Sequence, residues 1–348
     1  MKKKRIAVLF GGCSTEYQVS LQSAYAVMSQ IDTSLYDLIP IGLERHTGKW
    51  FWYRGELYEI PKNNWCRESV CTPVFLSPDR GIHGLLYLEN GRQMMLSLDG
   101  ALPVLHGKNG EDGTVQGVLE LSGIRLIGCG TLSSALCMDK LAAHRMAEAG
   151  GILCPRSVLT ESSEEESLKK AIFSLSFPVF VKPVRSGSSF GITRVKDKRE
   201  LLPAVRKAFE HDTRVLIEEA VDGFEVGCAV VGTEKLLTGE VDEIELSGDF
   251  FDYTEKYTLK TSRIHVPARI PAALAQEVKE TACRIYRIMG CSGFARVDMF
   301  LTPDGRIWFN EVNTIPGFTA HSRFPSMLKA AGISFDEVIR MILQEGLA

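Results

Sequence analysis

The sequence predicts a mixed fold of three domains, α/β in the first part and α+β afterwards, and three observations support this. In the first third, short apolar strands alternate with helical segments across glycine turns, a pattern typical of a parallel sheet flanked by helices. From about residue 128, short strands gather around a glycine loop, which indicates a small, largely antiparallel unit. The last third places a strand hairpin between one long helix and two terminal helices. The expected domain boundaries are 1–128, 129–220 and 221–348.

The expected elements follow from periodicity and from the turn residues between apolar runs. In the first domain they are strands at 5–10, 38–43 and 101–105 and helices at 18–30 and 115–121. Segment 44–99, rich in Trp and Tyr, is expected to be a less regular insertion, and no role is assigned to it. The second domain should hold helices at 139–149 and 201–211 and strands at 177–182, 191–196 and 214–219. The third should hold strands at 224–232 and 236–245, a polar loop at 247–264, a helix at 272–289 and the hairpin 293–301/306–313.

Composition excludes several classes of protein. A net charge of -3 and a single short basic run at the N-terminus give no footprint for nucleic acid. No stretch reaches the roughly 18 to 20 apolar residues that span a bilayer, and the first apolar run is too short for a signal peptide, so neither membrane nor export is expected. The nine cysteines form no CxxC pair and no zinc spacing. We therefore expect a cytoplasmic protein with reduced thiols.

The C-terminal hairpin carries the strongest chemical signal. Arg296, Asp298, Glu311 and Asn313 occupy alternate positions on its two strands, so an even register places them on one surface. Few, hard oxygen ligands of this kind suit Mg²⁺ bound together with phosphate and water. Two facing carboxylates also repel each other unless a cation or an arginine lies between them. An enzyme that uses ATP is predicted.

A second signal is the glycine- and serine-rich loop that follows Lys182 and contains Ser188 and Ser189. Backbone N–H groups, hydroxyls and a lysine at a strand end suit polyphosphate, although taken alone this segment is more simply an ordinary glycine hairpin. Lys140, which opens a helix, is by itself most simply a surface residue. Glu218, Glu219 and Glu225 lie at strand ends, where they could frame adenine and ribose or form a solvated edge.

Two loops in the first domain could bind a small substrate. Glu16 lies at a strand-to-helix turn, where an acid could hold an amine, or where Ser14 or Glu16 could simply cap the next helix. His106 lies in another such loop, and a single histidine is weak evidence. The first turn lacks GxGxxG, which disfavours a dinucleotide-binding oxidoreductase.

Several motifs together resemble the D-alanine:D-alanine ligase family over nearly the whole chain. In the first two domains they are Leu9-Phe10-Gly11-Gly12 with Glu16, Leu105-His106-Gly107 with Gly110 to Gly117, Met138-Asp139-Lys140, and Val181-Lys182-Pro183 with Gly187-Ser188-Ser189. In the third they are Tyr253-Thr254-Glu255-Lys256-Tyr257, Arg296-Val297-Asp298 and Glu311-Val312-Asn313-Thr314-Ile315-Pro316-Gly317. The resemblance implies the ATP-grasp fold, with ATP between the central and C-terminal domains.

The resemblance also implies a reaction and its residues. ATP would phosphorylate the carboxylate of a first D-alanine, and the amine of a second amino acid would attack the acyl phosphate. Two Mg²⁺ ions, replaceable by Mn²⁺, would be held by Asp298, Glu311 and Asn313. The residues implied for ATP are Lys140, Lys182, Ser188, Ser189, Glu218, Glu219, Val221, Glu225, Lys256 and Phe309. Those implied for the first substrate and the transition state are Glu16, His106, Ser188, Tyr257, Arg296 and Gly317.

The sequence departs from the D-alanine:D-alanine pattern around the second substrate. Ser322 would hold its carboxylate, but Arg323 replaces the apolar residue expected next, Asp242 replaces a glycine, and Phe251 changes the substrate loop. A second substrate that bears a hydroxyl would need a polar partner, which Arg323 and Asp242 could supply. These changes resemble the vancomycin-resistance D-alanine:D-serine ligases, the VanG type most closely. Arg323 could instead form a surface salt bridge without touching substrate. Lys256-Tyr257 argues against a D-lactate ligase, because that subgroup usually carries a histidine in this loop. His265 lies nearby in the sequence, so this argument against a D-lactate ligase is only moderate.

The sequence therefore predicts a D-alanine:D-serine ligase that makes an altered peptidoglycan precursor, with ATP, D-alanine and D-serine as ligands. The alternative is a housekeeping D-alanine:D-alanine ligase. A nucleotide-binding sensor without chemistry is a third reading. A homodimer is implied by the family alone.

Overall fold

The first sheet contains seven strands. The computed structural model describes residues 3–166, 168, 172–187, 190–245, 262–319 and 321–348. The strands are β1 Lys4–Gly11, β2 Tyr36–Leu43, β3 Trp50–Tyr53, β4 Cys71–Leu76, β5 Gly84–Glu89, β6 Arg92–Ser97 and β7 Gly100–Pro103. Their order is β6-β5-β4-β3-β2-β1-β7, and β1 pairs in parallel with β2 and β7, which confirms the expected parallel pairing. Its helices are α1 Tyr17–Met28 and α2 Thr114–Leu121.

The segment 44–99 is more regular than the sequence indicates. It supplies β3 to β6, which extend the sheet from β2 by antiparallel pairing. Trp65 anchors it: the indole is fully buried, and a Cβ at Gly42 would overlap the Trp65 ring. Phe10 and Tyr53 contact the same ring edge-to-face. The aromatic residues therefore form a core under the sheet, which adds apolar burial to the first domain.

The second sheet has four antiparallel strands in the order β10-β9-β11-β8, which confirms the small antiparallel unit. The strands are β8 Ser157–Thr160, β9 Val179–Pro183, β10 Thr193–Val195 and β11 Val215–Glu219. Helices α3 Thr131–Met138 and α4 Lys140–Ala149 precede it, and α5 Leu201–Phe209 packs on it through Val205 and Ala208. Asp139 caps α4 by accepting a hydrogen bond from the Ala142 N–H.

The third sheet has the order β15-β14-β12-β16-β17, with β13 paired to β12. Its strands are β12 Phe224–Val231, β13 Leu237–Thr238, β14 Asp242–Glu245, β15 Arg263–His265, β16 Phe294–Leu301 and β17 Ile307–Asn313. The helices are α6 Ala272–Ile288, α7 Arg323–Ala330 and α8 Phe335–Gly346. The expected strand 236–245 is thus two strands, because the Glu240 N–H donates to the Met327 carbonyl of α7. The expected loop 247–264 falls mostly outside the described residues, and its described end belongs to β15.

One hydrophobic core joins the first and third sheets. Phe10 and Val104 of the first domain share it with Phe294, Phe318 and Phe324 of the last. The three phenylalanines contact one another at centroid distances of 5.3 to 6.0 Å. This packing brings the loops after β1 and β7 against the end of β17. No helix among the described residues is long and apolar enough to cross a membrane.

Candidate active site

Four polar residues of the C-terminal hairpin form two directly opposed pairs. Arg296 faces Asn313, and Asp298 faces Glu311. Residues two apart on a strand share a face, so the expected single surface is confirmed. A β-bulge follows Asp298 and ends this regular pairing. The surface lies where the joined core brings the first-domain loops.

Asp298 is the most enclosed acid of this surface, with 1% of its surface exposed. Arg296 donates to it from Nε at 2.8 Å and from Nη2 at 2.7 Å, and Asn313 Nδ2 donates at 2.9 Å. An arginine therefore accompanies the two opposed carboxylates, as their mutual repulsion requires. Two of its partners come from this same hairpin surface.

The hairpin fits Mg²⁺ in the kind of atoms it offers. Asp298 and Glu311 supply carboxylate oxygens and Asn313 an amide oxygen, all hard donors on adjacent positions. In the described part of the chain, no cluster of three or more His, Cys, Asp or Glu is arranged to hold a metal. A cation at this surface would therefore rely on these two acids, the amide and ligand oxygens, and it would compete with Arg296 for Asp298.

Arg323, the first residue of α7, is buried against three acids. Its Nε and Nη2 donate to the two oxygens of Asp242 at 2.7 and 2.8 Å, and Nη1 donates to Glu225 at 2.5 Å. Asp298 Oδ1 lies 3.4 Å from Nη1. Burial alone lowers the pKa of the guanidinium, but the three acids outweigh it and hold that pKa well above its usual range. With 7% exposure, Arg323 is not the surface salt bridge that was the alternative reading.

Ser322 and Gly317 belong to one tight loop before α7. Ser322 Oγ accepts the Thr319 N–H at 3.1 Å and lies 2.8 Å from Thr319 Oγ1. A Cβ at Gly317 would lie 2.7 Å from Ser322 Oγ, so any other residue at position 317 would displace the Ser322 hydroxyl. The loop places the Gly317 backbone and the Ser322 hydroxyl beside each other.

Glu16 is enclosed by two glycines from different domains. A Cβ at Gly107 would lie 2.5 Å from its Oε2, and a Cβ at Gly187 would lie 2.7 Å away. Glu16 holds the N-cap position of α1, but its side chain makes no capping hydrogen bond, so the cap alternative is wrong for Glu16. Ser14, the other residue named for that cap, accepts the Glu16 N–H through Oγ at 3.1 Å. The Glu16 carboxylate lies between the loop of His106 and Gly187 in the glycine- and serine-rich loop that follows Lys182.

His106 connects the first domain to the loop after β17. Its Nδ1 lies 2.9 Å from the Ile315 carbonyl, which can only accept, so Nδ1 carries a proton. Its Nε2 lies 3.0 Å from Ser23 Oγ, and Ser23 Oγ accepts the Phe318 N–H at 3.3 Å. Burial lowers the pKa of His106 against the opposing charge of Glu16. A neutral His106 imidazole that accepts a hydrogen bond from the Ser23 hydroxyl through Nε2 is consistent with all three of these contacts.

Glu111 was not singled out from the sequence, although it follows Gly110 in the loop of His106. It accepts the Gly107 N–H at 2.7 Å and the Ile315 N–H at 3.2 Å. Burial, and then the nearby charges of Glu16 and Glu311, raise the pKa of its carboxyl to about 8. Three acids from two domains therefore lie close together beside the hairpin.

The lysines expected at the phosphates are both enclosed. Lys140 is 9% exposed and donates to the Ser186 carbonyl at 2.7 Å, so it is not an ordinary surface lysine. Lys182 donates to Glu218 Oε1 at 2.6 Å, and Glu218 is 2% exposed, which excludes a solvated edge for that acid. Both lysines lie at the root of the glycine-rich loop.

A buried histidine that the sequence did not reveal lies behind Glu218. His144 Nε2 is 3.0 Å from the Asn310 carbonyl, and its Nδ1 is 3.7 Å from Glu218 Oε2. Among the residues that the structure describes, neither Nδ1 nor Oε2 has a hydrogen-bond partner. A donor placed between them would satisfy both atoms.

Other expected nucleotide residues lie in different surroundings. Glu219 accepts the Ser176 N–H at 2.7 Å, and Val221 lines the same cavity of about 390 Å³ as Glu219. Glu225 is paired to Arg323. The expected contact of Phe309 with ATP is not supported, because its side chain is fully buried in the third sheet's core and packs against His144 at 5.4 Å. The expectations for Ser188, Ser189, Phe251, Lys256 and Tyr257 fall outside the described residues.

Comparison with known proteins gives these features a family. Residues 5–129 match the model described as D-ala D-ala ligase N-terminus, and residues 154–344 match the one described as D-ala D-ala ligase C-terminus. The chain belongs to the D-alanine–D-alanine ligase family. It is therefore an enzyme of the ligase class with the ATP-grasp fold, and neither a nucleotide sensor nor a dinucleotide oxidoreductase. Ligases of this family use ATP and typically Mg²⁺.

Individual relatives of this ligase carry different names. The crystal structure of VanG D-Ala:D-Ser ligase from Enterococcus faecalis superimposes with a TM-score of 0.92 at 53% identity, over 99% of this chain and 100% of that chain. A D-alanine–D-alanine ligase of Caldicellulosiruptor bescii is 43% identical over 99% of this chain and 95% of its own length. The vancomycin B-type resistance protein VanB of Enterococcus faecalis is 44% identical over 99% and 98%.

Proposed function

We propose that this ligase joins D-alanine to D-serine, forming a D-alanyl-D-serine end for a peptidoglycan precursor in vancomycin resistance. The observation that carries the proposal is the buried pair of Arg323 and Asp242, directly after Ser322. The similarity to a structure titled VanG D-Ala:D-Ser ligase supports it. The runner-up is a D-alanine:D-alanine ligase, the name of the Caldicellulosiruptor relative.

The physical reason is the cost of leaving buried polar groups unpaired. An apolar pocket rejects an added hydroxyl poorly, whereas a site built to bind that hydroxyl discriminates strongly against the analogue that lacks it. A guanidinium has five N–H donors, and Arg323 uses three of them in hydrogen bonds to described residues. The buried Arg323 and Asp242 pair would therefore offer a polar partner to a serine hydroxyl, directly or through one water. Phe251 is proposed to contribute to the same selection.

For the first half-reaction, the chain's own residues would bind and orient two substrates. Glu16 would bind the ammonium of the first D-alanine, with His106 near its carboxylate and Ser188 and Tyr257 in the same network. The ATP phosphates would lie against Lys140, Lys182 and Lys256, with Ser189 above them. A carboxylate oxygen of D-alanine would then attack the γ-phosphorus of ATP. The bond between that phosphorus and the β–γ bridging oxygen breaks, which gives D-alanyl phosphate and ADP.

Mg²⁺ bound at Asp298, Glu311 and Asn313 would neutralise charge on the phosphate oxygens. In the second half-reaction, the neutral amine of D-serine attacks the acyl carbon, phosphate leaves, and the amine proton is lost to solvent or base. Arg296 and the Gly317 N–H would stabilise the oxyanion that forms on the acyl oxygen, and Ser322 would hold the D-serine carboxylate. Glu218, Glu219, Val221 and Glu225 are proposed to frame the adenosine.

The test is a product measurement. The purified enzyme receives ATP, Mg²⁺, D-alanine and equimolar D-serine at neutral pH, and the dipeptides are resolved by mass. We expect D-alanyl-D-serine to dominate, and Arg323→Leu to shift the product towards D-alanyl-D-alanine. Arg340→Leu is the matched control, because Arg340 is an exposed arginine of α8 paired only loosely with Glu337 at 3.7 Å. Dominant D-alanyl-D-alanine from the unaltered enzyme would instead establish the runner-up.

The assembly is a separate proposal that rests on the family. We propose a homodimer, which light scattering of the purified chain measures directly. A monomer at micromolar concentration would contradict it.

A further inference from the structure

A glycine stands in the middle of a row of acids that crosses the third sheet. Gly227 of β12 pairs with Asp242 of β14 on one side and with Asp298 of β16 on the other. Asp298 in turn pairs with Glu311 of β17. Directly opposed residues on neighbouring strands share a face. Four adjacent strands therefore present three carboxylates and one position without a side chain.

The space above Gly227 is filled by the guanidinium of Arg323. A Cβ built on Gly227 would lie 2.5 Å from Arg323 Nη2, 2.8 Å from Asp242 Oδ1 and 2.9 Å from Asp298 Oδ1. Real Cβ atoms do not approach other heavy atoms this closely. Any side chain at position 227 would therefore displace the guanidinium or the acids that hold it.

The requirement for glycine comes from space and not from backbone conformation. Among the residues that the structure describes, fifteen glycines have positive φ and Gly227 is not one of them, so other residues could adopt its extended backbone. A glycine inside a central strand is unfavourable by propensity, and it often marks the close approach of another group. Here that group is a buried arginine from an element almost a hundred residues further along the chain.

We propose that Gly227 is a positioning residue, which seats the Arg323 guanidinium and through it fixes the start of α7, and thereby selects the second substrate. Arg323 follows Ser322, so the seat also sets where the hydroxyl and the adjacent loop lie. The same guanidinium holds Glu225 and borders Asp298. Displacing it would take the shared cation away from the buried Asp242 and Asp298 and from the partly exposed Glu225, a destabilising arrangement. The part that concerns substrate choice rests on the proposed D-serine specificity.

The experiment compares Gly227→Ala, Arg323→Leu and the double variant. We expect Gly227→Ala to lower Tm by roughly 3 °C or more, and to reduce the ratio of D-alanyl-D-serine to D-alanyl-D-alanine by roughly tenfold or more. The loss should appear mainly in KM for D-serine. Gly117→Ala is the control: a Cβ there meets only Thr131, at an ordinary 3.7 Å, so we expect an unchanged product ratio and, because Gly117 lies inside α2, a Tm that is not lowered.

The double variant distinguishes an effect of Gly227 on the position of Arg323 from a general steric clash at residue 227. If Gly227 acts through Arg323, adding Gly227→Ala to Arg323→Leu should cost much less Tm than adding it to the unaltered enzyme. Equal costs in both backgrounds, or an unchanged product ratio in Gly227→Ala, would overturn the proposal. If Gly227→Ala alone is insoluble, recovery of soluble protein in the Arg323→Leu background supports the proposal that Gly227 positions Arg323. Insoluble protein in that background as well would contradict the proposal. Should the unaltered enzyme make no D-alanyl-D-serine, the D-serine specificity fails, whereas the Tm coupling still tests the seat.

Discussion

Replacing Glu111 by Gln should remove a pH dependence of stability that this carboxyl imposes. Its pKa is raised from 4.5 to about 8 in the folded protein. A group whose folded pKa is raised keeps its proton on folding, so its contribution is fully present below pH 4.5 and is lost as pH rises through about 8. Each pH unit in this window changes stability by up to about 1.4 kcal/mol, so pH 5 to 7 is worth on the order of 1 to 3 kcal/mol.

The assay is thermal unfolding of the unaltered enzyme and Glu111→Gln at several pH values. From pH 5 to pH 7, the Tm of the unaltered enzyme should fall by roughly 5 °C relative to the Tm of Glu111→Gln, because only the unaltered enzyme loses stability from this group. Glu277→Gln, on the exposed face of α6, is the control and should follow the unaltered enzyme. His106, whose pKa is lowered, loses stability in the opposite direction as pH falls, but it does so in both proteins. Parallel curves for the unaltered enzyme and Glu111→Gln would refute the raised pKa.

Three further substitutions test the rest of the site. Glu311→Ala should reduce ADP release by roughly a hundredfold or more while the fold is kept, since it removes a carboxylate proposed to bind Mg²⁺; full turnover would contradict that role. Lys182→Met should raise KM for ATP by roughly tenfold or more, through loss of a charge-assisted contact to phosphate, and an unchanged KM would remove Lys182 from the ATP site. Ser23→Ala should cost about 1 kcal/mol of stability, seen as a lower Tm, because Phe318 and His106 both lose a hydrogen bond.

Local patterns predicted the elements whose signal is local. The first strand-turn-helix-strand unit and the C-terminal hairpin appear close to their expected bounds. In contrast, β3 to β6 were underestimated, since their regularity depends on Trp65 packing under the sheet against Gly42. The break between β13 and β14 depends on a hydrogen bond from Glu240 to Met327, 87 residues away, which no short-range pattern encodes.

The candidate site shows the same division. Strand alternation was sufficient to place Arg296 and Asp298 with their opposed partners on one surface. The contact between Glu225 and Arg323 joins residues 98 positions apart, so local patterns predicted a separate role for each residue and no contact between them. Gly227 carried a usable signal, because a glycine within the mostly apolar central strand β12 indicates a close approach. His144 did not, since a histidine inside a helix reads as an ordinary surface residue.

Charge balance at the site argues for substrate-linked proton release. Arg296 and Arg323 are engaged with Asp298, Asp242 and Glu225 on one side of the hairpin. On the other side, Glu16 and Glu311 lie near Glu111 closely enough to raise its pKa. Both cations proposed to bind there, the D-alanine ammonium and Mg²⁺, oppose that repulsion and would lower the Glu111 pKa. Binding D-alanine with Mg²⁺ and a non-hydrolysable ATP analogue at pH 7 should therefore release protons, measurable as a buffer-dependent heat of binding. Glu111→Gln should release fewer, and equal release from both proteins would assign the proton elsewhere.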